Sequence, residues 1–409
     1  MTASTVHARA GSLLLAGLLL AAAVGAQAQT SGRSKTRRAP AQTQTARPGP
    51  AFDQAVKAGD EARQANHLSE ALEHYLKALK LRPTWAEGWW NIGAIFYEAD
   101  RYPEARDAFR NLVSLDPKRG PAWGMLGLCE FQTREYERAI VSLQRGRAIG
   151  FGGNEEIASV VRYHTALLYI RFEQFEVAFD ILSEFMQTGN DSPKVIEAFG
   201  LTLMRMPSLP AEVPPDKHEQ VMTAGRAGFF MAARRTDEAR AAFDALLKRY
   251  PNEPNVHYAY GVYLMNQDAD AALKEFRREL EISPSHTAAI VQMAFEYLKR
   301  GEYDTALPLA EKGVRLAPKM YPARNVLGRV LLEVGQTERA VKELEEGVRL
   351  APSSPEMHFA LARAYTRAGR QADAAREREL FKQLQEQYNA RRGPRPGGDA
   401  DDNQPKPKP

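Results

Sequence analysis

Cysteine is almost absent from the chain, since only Cys129 among its 409 residues carries a thiol. A single cysteine excludes an intramolecular disulfide framework and any zinc site built from several cysteines. Cys129 lies beside Leu128 in a segment of helical periodicity, which predicts a buried, unreactive thiol rather than a nucleophile. The composition is otherwise ordinary, with 44% hydrophobic and 26% charged residues, and is sufficient for a folded core.

The folded body of the chain is not basic, although the whole chain has a formal net charge of +4. Residues 29–50 contain five basic side chains and no acidic one, and residues 391–409 contain five basic and three acidic ones. The remaining segment, residues 51–390, contains 44 basic and 48 acidic residues. Because this body has no positive excess to attract a phosphate backbone, we expect no nucleic-acid partner.

No apolar run is long enough to cross a bilayer as a helix. The most apolar stretch, Leu13–Val24, has 12 residues, whereas a spanning helix needs about 20. This stretch follows Arg9 and precedes the triplet Ala26-Gln27-Ala28, which is the order of a secretory signal peptide. We predict that residues 1–28 are a cleaved signal peptide, an uncleaved anchor being the alternative. The protein would then be periplasmic or secreted, with no integral membrane span after cleavage.

Both ends of the remaining chain lack aromatic residues. Residues 29–50 are polar and punctuated by proline, and they predict a disordered basic linker. Residues 393–409 have a similar composition and predict a disordered tail.

The body between these ends contains an internal repeat with a period of about 34 residues, in the range typical of stacked repeat folds. Alanine recurs with this spacing before apolar-periodic runs, and a small residue stands twelve positions earlier in most units. Prolines close several units, for example Pro83 and Pro117. Apolar residues at i, i+3, i+4 and i+7 indicate two amphipathic helices in each unit. The alanines in step are Ala71, Ala105 and Ala139, then Ala272, Ala306, Ala340 and Ala374.

This pattern resembles the tetratricopeptide repeat family, whose repeating unit is a helix–turn–helix of the same length. The second unit agrees best with the family pattern, at Trp89, Ile92, Gly93, Phe96, Ala105, Phe109 and Pro117. The resemblance implies an all-α fold, a right-handed superhelical solenoid of about ten units. One hairpin cannot bury its own apolar face, so the units must stack.

We divide the body into three segments. Residues 51–206 form an N-terminal repeat array, and residues 220–392 form a C-terminal array that ends in a polar capping helix from about Gln371 to Arg392. Between them, residues 207–219 contain four prolines and predict a loop that replaces the second helix of the fifth unit. This loop is interpreted either as a joint between two arms or as a tolerated surface insertion.

No reactive constellation accompanies the repeat. The sequence contains no HExxH, no GxxxxGK[ST] and no GxSxG motif. His257 and His358 occupy the repeat position of Trp89, a packing position, and are therefore interpreted as structural. We expect no catalysis, no metal and no cofactor; a strand-containing domain within residues 150–220 would favour the enzymatic alternative.

The resemblance places a ligand groove on the first helices of the units. Its groove positions carry aromatic, methionine and aliphatic residues, which predict an apolar recognition surface for a protein or peptide partner. Alternatively, the curvature of the stack buries many of them. The candidate peptide-binding residues are Trp90, Tyr97, Phe131, Tyr163, Ile170, Met204, Tyr258, Met265, Phe295 and Leu298.

Charged ligands have a candidate place in only one part of this groove, the last units. The family's chaperone-binding clamp of lysine and asparagine is not reproduced in the first three units, where Val56, Asp60, Asn91, Pro121 and Met125 stand and only Asn91 agrees. The last units carry a more basic set, interpreted as a site for an acidic peptide end or as a solvated charged face. This set is Asn325, Arg329, Arg363 and Arg367.

The sequence therefore favours a non-catalytic exported scaffold that binds a peptide segment of another envelope protein. The alternative is a structural or assembly protein that acts through self-association, with a possible homo-oligomer. Repeat folds bind many partners, so the pattern does not identify the ligand.

Overall fold

A computed structural model describes residues 49–392 of the chain. The predicted signal peptide 1–28, nearly all of the predicted linker 29–50 and the tail 393–409 lie outside the described residues. The first helix begins at Pro50, one residue inside the predicted linker. Proline is well placed there, because the first position of a helix needs no backbone donor.

The described residues form 19 α-helices and contain no β-strand, which confirms the all-α fold class. Within residues 49–392, no helix has both the length and the apolar composition that a bilayer span requires. The chain divides into two compact units, a first ending at Arg235 and a second beginning at Thr236.

The first unit contains ten helices that pack in successive pairs, α1 with α2 through α9 with α10. Short 3₁₀ turns at residues 184–188 and 210–212 lie after α8 and before α10. The helices are α1 (Pro50–Gln64), α2 (Leu68–Leu81), α3 (Ala86–Glu98), α4 (Tyr102–Leu115), α5 (Gly120–Gln132), α6 (Tyr136–Ile149), α7 (Glu155–Arg171), α8 (Phe175–Ser183), α9 (Pro193–Leu203) and α10 (Pro215–Ala232).

The second unit contains nine helices, of which α11 precedes four packed pairs. The last helix covers the predicted cap from Gln371 to Arg392. The helices are α11 (Thr236–Arg249), α12 (Val256–Leu264), α13 (Ala269–Ile282), α14 (Thr287–Lys299), α15 (Tyr303–Leu316), α16 (Tyr321–Glu333), α17 (Thr337–Leu350), α18 (Pro355–Arg367) and α19 (Gln371–Arg392).

Small residues at fixed repeat positions allow the two helices of a pair to approach closely. The seven alanines that recur in step with the repeat are all buried, each with at most 1% of its surface exposed. A Cβ atom on Gly93 of α3 would lie 2.9 Å from the ring of Phe109 in α4. Residues larger than glycine would therefore push this pair apart.

The proline-rich segment differs from its prediction. Helix α10 begins at Pro215, so the loop ends before it and does not extend over 207–219. Helix α10 packs along α9 and supplies the second helix that the fifth unit was expected to lack. Pro214 and Pro215 sit at the N-cap and first position of α10, where proline starts a helix instead of breaking one.

The boundary between compact units also lies elsewhere than expected. It falls at Arg235, after α10, and not within the proline-rich loop. The predicted sixth repeat, starting near residue 220, joins α10 with α11, yet α10 belongs to the first unit and α11 to the second. The described chain thus has nine helix pairs and one additional helix, α11.

Candidate peptide-binding surface

Four of the predicted groove residues in the first unit remain partly exposed on the first helices of their pairs. Trp90 packs edge-on against Phe109 with ring centroids 5.6 Å apart, and the guanidinium of Arg119 lies 4.8 Å above its indole. Tyr97 contacts the ring of Tyr102 at 5.4 Å. Each of these rings is held by a neighbour while part of its surface stays accessible to solvent.

Phe131 and Tyr163 belong to a continuous row of rings across α5 and α7. The ring of His164 lies 4.8 Å from that of Phe131 and 5.4 Å from that of Tyr163, both in edge-on geometry. The Nδ1 atom of His164 donates a 2.8 Å hydrogen bond to the carbonyl of Val160, which fixes the tautomer. Burial, with a contribution from Lys194, lowers the pKa of His164 to about 4, so the ring is neutral at physiological pH.

Charged side chains lie beside Tyr163, at the end of this row of rings. The ammonium of Lys194 lies 5.5 Å above the ring of Tyr163. Glu197, one turn later on α9, is 14% exposed in its side chain, and His218 lies 3.7 Å from its carboxylate. Burial raises the pKa of Glu197, although His218 opposes the shift. We define Trp90, Tyr97, Phe131, Tyr163 and His164 as the aromatic surface of the first unit.

Four predicted site residues are buried instead of groove-lining, which corrects their assignment. Ile170 has no exposed surface, and Met204 is 5% exposed; both lie in the first unit. Tyr258 and Leu298 of the second unit are 7% and 8% exposed. Ile170 packs in the same hydrophobic core as Leu201 of α9, so the next pair covers it. The alternative that the stack buries some groove positions therefore holds at these four.

Met265 and Phe295 of the second unit stay partly exposed. Phe295 on α14 lies beneath two cations, since the Arg329 guanidinium is 5.2 Å and the Lys299 ammonium 5.9 Å from its ring centroid. Lys299 is also paired with Glu296 at 2.7 Å. The surroundings of Phe295 are thus basic, unlike the aromatic surface of the first unit.

The hydrogen bonds of His257 and His358 confirm that both histidines have a structural role. The Nε2 atom of His257 bonds the carbonyl of Pro251 at 3.0 Å, and Nδ1 bonds the carboxylate of Glu275 at 2.6 Å. His358 makes the same two contacts, with Pro352 and Glu377. Trp89 donates from Nε1 to the carbonyl of Pro83 at 2.8 Å, and Trp123 makes the same bond to Pro117, so in these units the repeat position links the first helix to the turn before it.

Reactive groups in the described part of the chain do not converge. Among residues 49–392, no group of three or more His, Cys, Asp or Glu side chains is placed to hold a metal ion. Cys129 is fully buried, and burial raises the pKa of its thiol well above the usual range. The sulfur is therefore a packing atom in α5, as the sequence predicts.

Sequence reasoning misses two polar residues at this surface, His164 and Glu197. His164 follows Tyr163 directly and lies outside the groove offsets that the family resemblance supplies. Glu197 occupies the same repeat offset as Tyr163, one repeat further along the chain, and this spacing is a signal that identifies it.

Comparison with known proteins shows the same repeat. Family models described as tetratricopeptide repeat match residues 86–119, 230–287 and 297–362, and a model described as TPR repeat matches residues 59–100. The heat-shock protein cognate co-chaperone sgt12 of Aspergillus fumigatus is 27% identical over 135 residues, which are 33% of this chain and 38% of that protein. Hsp70-Hsp90 organizing protein 1 of Glycine max is 27% identical over 94 residues, 23% of this chain and 16% of that protein.

This chain therefore matches less than half the length of either curated relative. Among solved structures, MamA of Desulfovibrio magneticus RS-1 is similar, with 23% identity, a TM-score of 0.37, and coverage of 41% of this chain and 96% of that one. The helix pairs, their regular spacing and the four family matches establish that the chain is a tetratricopeptide repeat protein.

Proposed function

We propose that this repeat protein is an exported, non-catalytic scaffold whose first unit binds a segment of another envelope protein. The observation that carries the proposal is the aromatic surface, where rings are fixed in place by neighbours and yet keep accessible faces. Pre-fixed aromatic rings contribute contact area at little entropic cost, which is why they dominate binding energies at protein interfaces.

An extended or helical segment fits this surface best. The rings of Trp90, Phe131 and Tyr163 lie on α3, α5 and α7, so a ligand that contacts all three must cross successive helix pairs. Its side chains would be apolar opposite Phe131. Glu197 and Lys194 both lie at the end of the row, which favours a polar ligand residue there.

The relatives and the packing roles of the nucleophilic side chains support a scaffold. One curated relative is named as a co-chaperone and another as an Hsp70-Hsp90 organizing protein, which favours protein binding. Cys129 is buried in α5, and His257 and His358 are engaged with backbone carbonyls and carboxylates. Because only Asn91 agrees with the family's lysine and asparagine clamp, the ligand is expected to differ in chemistry.

Export rests on the sequence of the N-terminus. The charged start, the apolar run Leu13–Val24 and the Ala26-Gln27-Ala28 triplet favour secretion across the inner membrane. We therefore place the partner in the envelope. Fractionation of cells that express the full chain tests this location independently of ligand binding.

Affinity capture with the full chain tests the binding surface. The double variant Tyr97→Ala/Phe131→Ala is expected to capture about tenfold less of the envelope partner than the wild type does, which is the usual effect of truncating aromatic anchors. The matched control is Leu81→Ala/Val141→Ala, two apolar residues that are 53% and 60% exposed on second helices. The proposal is wrong if both double variants retain the same partners as the wild type.

Self-association is the second candidate, and a patch on the last helix pair favours it. Phe359 of α18 is 50% exposed, and its ring lies 5.4 Å from that of Phe381 in α19. Leu380 beside it is 41% exposed. Light scattering over a range of concentrations tests this candidate: a strictly monomeric protein excludes it, and a dimer that Phe359→Glu dissociates supports it.

A further inference from the structure

The first three helix pairs share an edge at which each second helix ends beside the start of its first helix. This placement follows because short turns join the helices of a pair and make them antiparallel. The guanidinium of Arg82, just after α2, lies 5.6 Å above the ring of Phe52 in the first turn of α1. A Cβ atom on Gly120 of α5 would overlap the carbonyl oxygen of Gly150, just after α6. We define the turn edge as residues 77–87, 111–121 and 145–153.

The turn edge carries a row of exposed aliphatic side chains. Leu81, Leu115 and Ile149 are the last residues of α2, α4 and α6. They are 53%, 40% and 41% exposed, and each stands one full repeat after the one before. Single exposed apolar residues need no explanation, whereas a row of them at one repeat position marks a surface that contacts something apolar.

Positive charge is concentrated at the same edge. The turn edge contains seven basic and two acidic residues, although the body of the chain as a whole is slightly acidic. Lys80 and Lys118, each next to the row or close to it in sequence, are exposed. Arg147 pairs at 2.6 Å with Glu184, which lies after α8, so the positive excess ends at the fourth pair.

The other ends of the same three pairs differ in both respects. Three basic and six acidic residues surround the turns inside the pairs. The large side chains that begin the second helices there are only partly exposed, and they are Leu68, Tyr102 and Tyr136. We define this opposite edge as residues 64–70, 98–105 and 132–138. The first three pairs therefore have one basic edge with exposed aliphatic residues and one acidic edge without them.

The chain enters the first unit at the turn edge, because α1 begins at Pro50 and its first turn lies against Arg82. Residues 29–50 contain five basic side chains and no acidic one. This segment is thus attached at the edge that is already basic. Its charge adds to the attraction that the turn edge exerts on an anionic surface.

Basic and aliphatic side chains in one row match the chemistry of an anionic lipid surface. Each lysine or arginine near such a surface strengthens binding by about fivefold, and aliphatic side chains at the same level enter the boundary between headgroups and acyl chains. A nucleic acid offers phosphates but no apolar layer for the three aliphatic residues. The row also lies at helix ends, where a flat surface reaches it, and not on the groove positions of the first helices.

We propose that the turn edge docks the first unit on an anionic membrane surface. Leu81, Leu115 and Ile149 enter the headgroup region, while the neighbouring lysines and arginines contact lipid phosphates. This docking is separate from the binding of a protein segment, because it uses the ends of the helices and not the aromatic surface.

Sedimentation of the full chain with lipid vesicles tests the proposal. The chain should bind vesicles of phosphatidylglycerol and phosphatidylcholine in equal parts, should bind them more weakly as salt rises, and should bind phosphatidylcholine alone poorly. Every variant keeps the same N-terminus, so the apolar run Leu13–Val24 cannot produce a difference between variants. Absence of binding to the mixed vesicles would refute the proposal.

Two matched pairs of charge variants test whether the edge matters. Lys80→Gln/Lys118→Gln should lower the affinity for mixed vesicles by about 25-fold, fivefold for each charge. The control Arg101→Gln/Arg138→Gln removes two equal charges from the opposite edge, where these side chains are 51% and 67% exposed. Its affinity should stay within about twofold of the wild type. Equal losses in the two pairs would mean that only overall charge attracts the chain.

A label on α6 tests the aliphatic contact. An environment-sensitive fluorophore on Ile149→Cys should shift its emission to the blue when mixed vesicles are added, and the same fluorophore on Val141→Cys should not. Val141 is 60% exposed on the same helix but away from its end. Cys129 has no exposed surface and does not compete for the label. Equal shifts at both positions, or no shift at either, would contradict the proposed orientation.

Three further results would overturn the proposal. A lower melting temperature of Lys80→Gln/Lys118→Gln, in proportion to its loss of vesicle binding, would assign the loss to the fold. Full binding by that variant, together with loss of binding when the five basic residues of 29–50 become glutamine, would assign it to that segment. Release from vesicles by a short DNA strand at low concentration would assign the edge to nucleic acid.

The membrane proposal and the partner-binding proposal fail or succeed separately. Tyr97→Ala/Phe131→Ala should bind mixed vesicles as the wild type does, because neither residue lies on the turn edge. An equal loss of vesicle binding in this variant would show that the aromatic surface, and not the turn edge, contacts lipid.

Discussion

His257 and Glu275 are joined by a 2.6 Å hydrogen bond between the imidazole Nδ1 and a carboxylate oxygen, linking α12 to α13. The other ring nitrogen bonds the carbonyl of Pro251, so both neighbours accept and the charged imidazolium satisfies both. Burial opposes this charge, but the hydrogen bonds to Glu275 and Pro251 raise the pKa of His257 overall. The repeat position that holds tryptophan in early units thus holds a titratable link here.

This link predicts a pH dependence of stability. Because the folded pKa of His257 is raised, its contribution is complete below the unfolded value of about 6.5 and is lost as pH rises through the folded value. The free energy of unfolding of His257→Gln should therefore fall furthest below that of the wild type at pH 5.5. Urea unfolding at pH 5.5, 7.0 and 8.5 measures the difference, and a gap that widens with pH would contradict the assignment.

His164 predicts the opposite sign. Burial holds its pKa at about 4, so the unfolded chain takes up a proton below about pH 6.5 while the folded chain does not. Stability should fall between pH 6.5 and pH 4 by up to about 3 kcal/mol from this residue alone. His164→Gln should flatten that part of the profile, measured by urea unfolding at pH 7.0, 5.5 and 4.5. An unchanged acid limb would show that His164 titrates normally in the fold.

Gly200 and Gly225 allow α9 and α10 to touch backbone to backbone. A Cβ atom on Gly200 would lie 1.9 Å from the carbonyl oxygen of Val221, and one on Gly225 would lie 2.0 Å from that of Ile196. Gly200→Ala should therefore destabilise the protein by about 3 kcal/mol, because a backbone atom cannot rotate away. The control Gly49→Ala places its Cβ in open space. Equal melting temperatures for the two variants would show that the pair is not packed this closely.

Arg134 occupies a turn in the left-handed region, with φ of 60°. Glycine stands at the equivalent position of later units, for example Gly335 with φ of 79°. Arg134→Gly removes the contact between Cβ and the backbone that disfavours this conformation and should stabilise the protein by about 0.5–1 kcal/mol. Chemical denaturation measures the gain, and a loss of stability would mean that the arginine side chain has a packing role.

The repeat itself is predictable from sequence because it depends on volume. The buried alanines that recur with the repeat, and Gly93 beside Phe109, must be small for the paired helices to approach closely. Their regular spacing is therefore visible in the sequence of a single chain. Helices that begin at a proline are harder to recognise from sequence. The four prolines around Pro215 favour a loop on sequence grounds, although proline is equally suited to the first turn of a helix, and only the packing of α10 on α9 decides between them.

The candidate site was less predictable because exposure depends on neighbouring pairs. Ile170 and Phe131 occupy the same repeat offset, yet Ile170 is fully buried and Phe131 remains partly exposed. The difference arises because Ile170 packs into the core that α7 forms with α8 and α9. The two helices of the fifth pair, α9 and α10, approach each other closely there. The repeat position of a residue identifies the helix face on which it lies, and the packing of the adjacent pair determines whether the residue is exposed.

The most direct test of the binding surface is photocrosslinking from a benzoylphenylalanine at position 131, with position 141 as control. Phe131 belongs to the aromatic surface, and Val141 is 60% exposed on the second helix of the same pair. We predict one discrete crosslinked envelope protein from position 131, absent from position 141 and abolished when Tyr163→Ala is added. Equal products from both positions, or a product that survives Tyr163→Ala, would contradict a binding role for this surface.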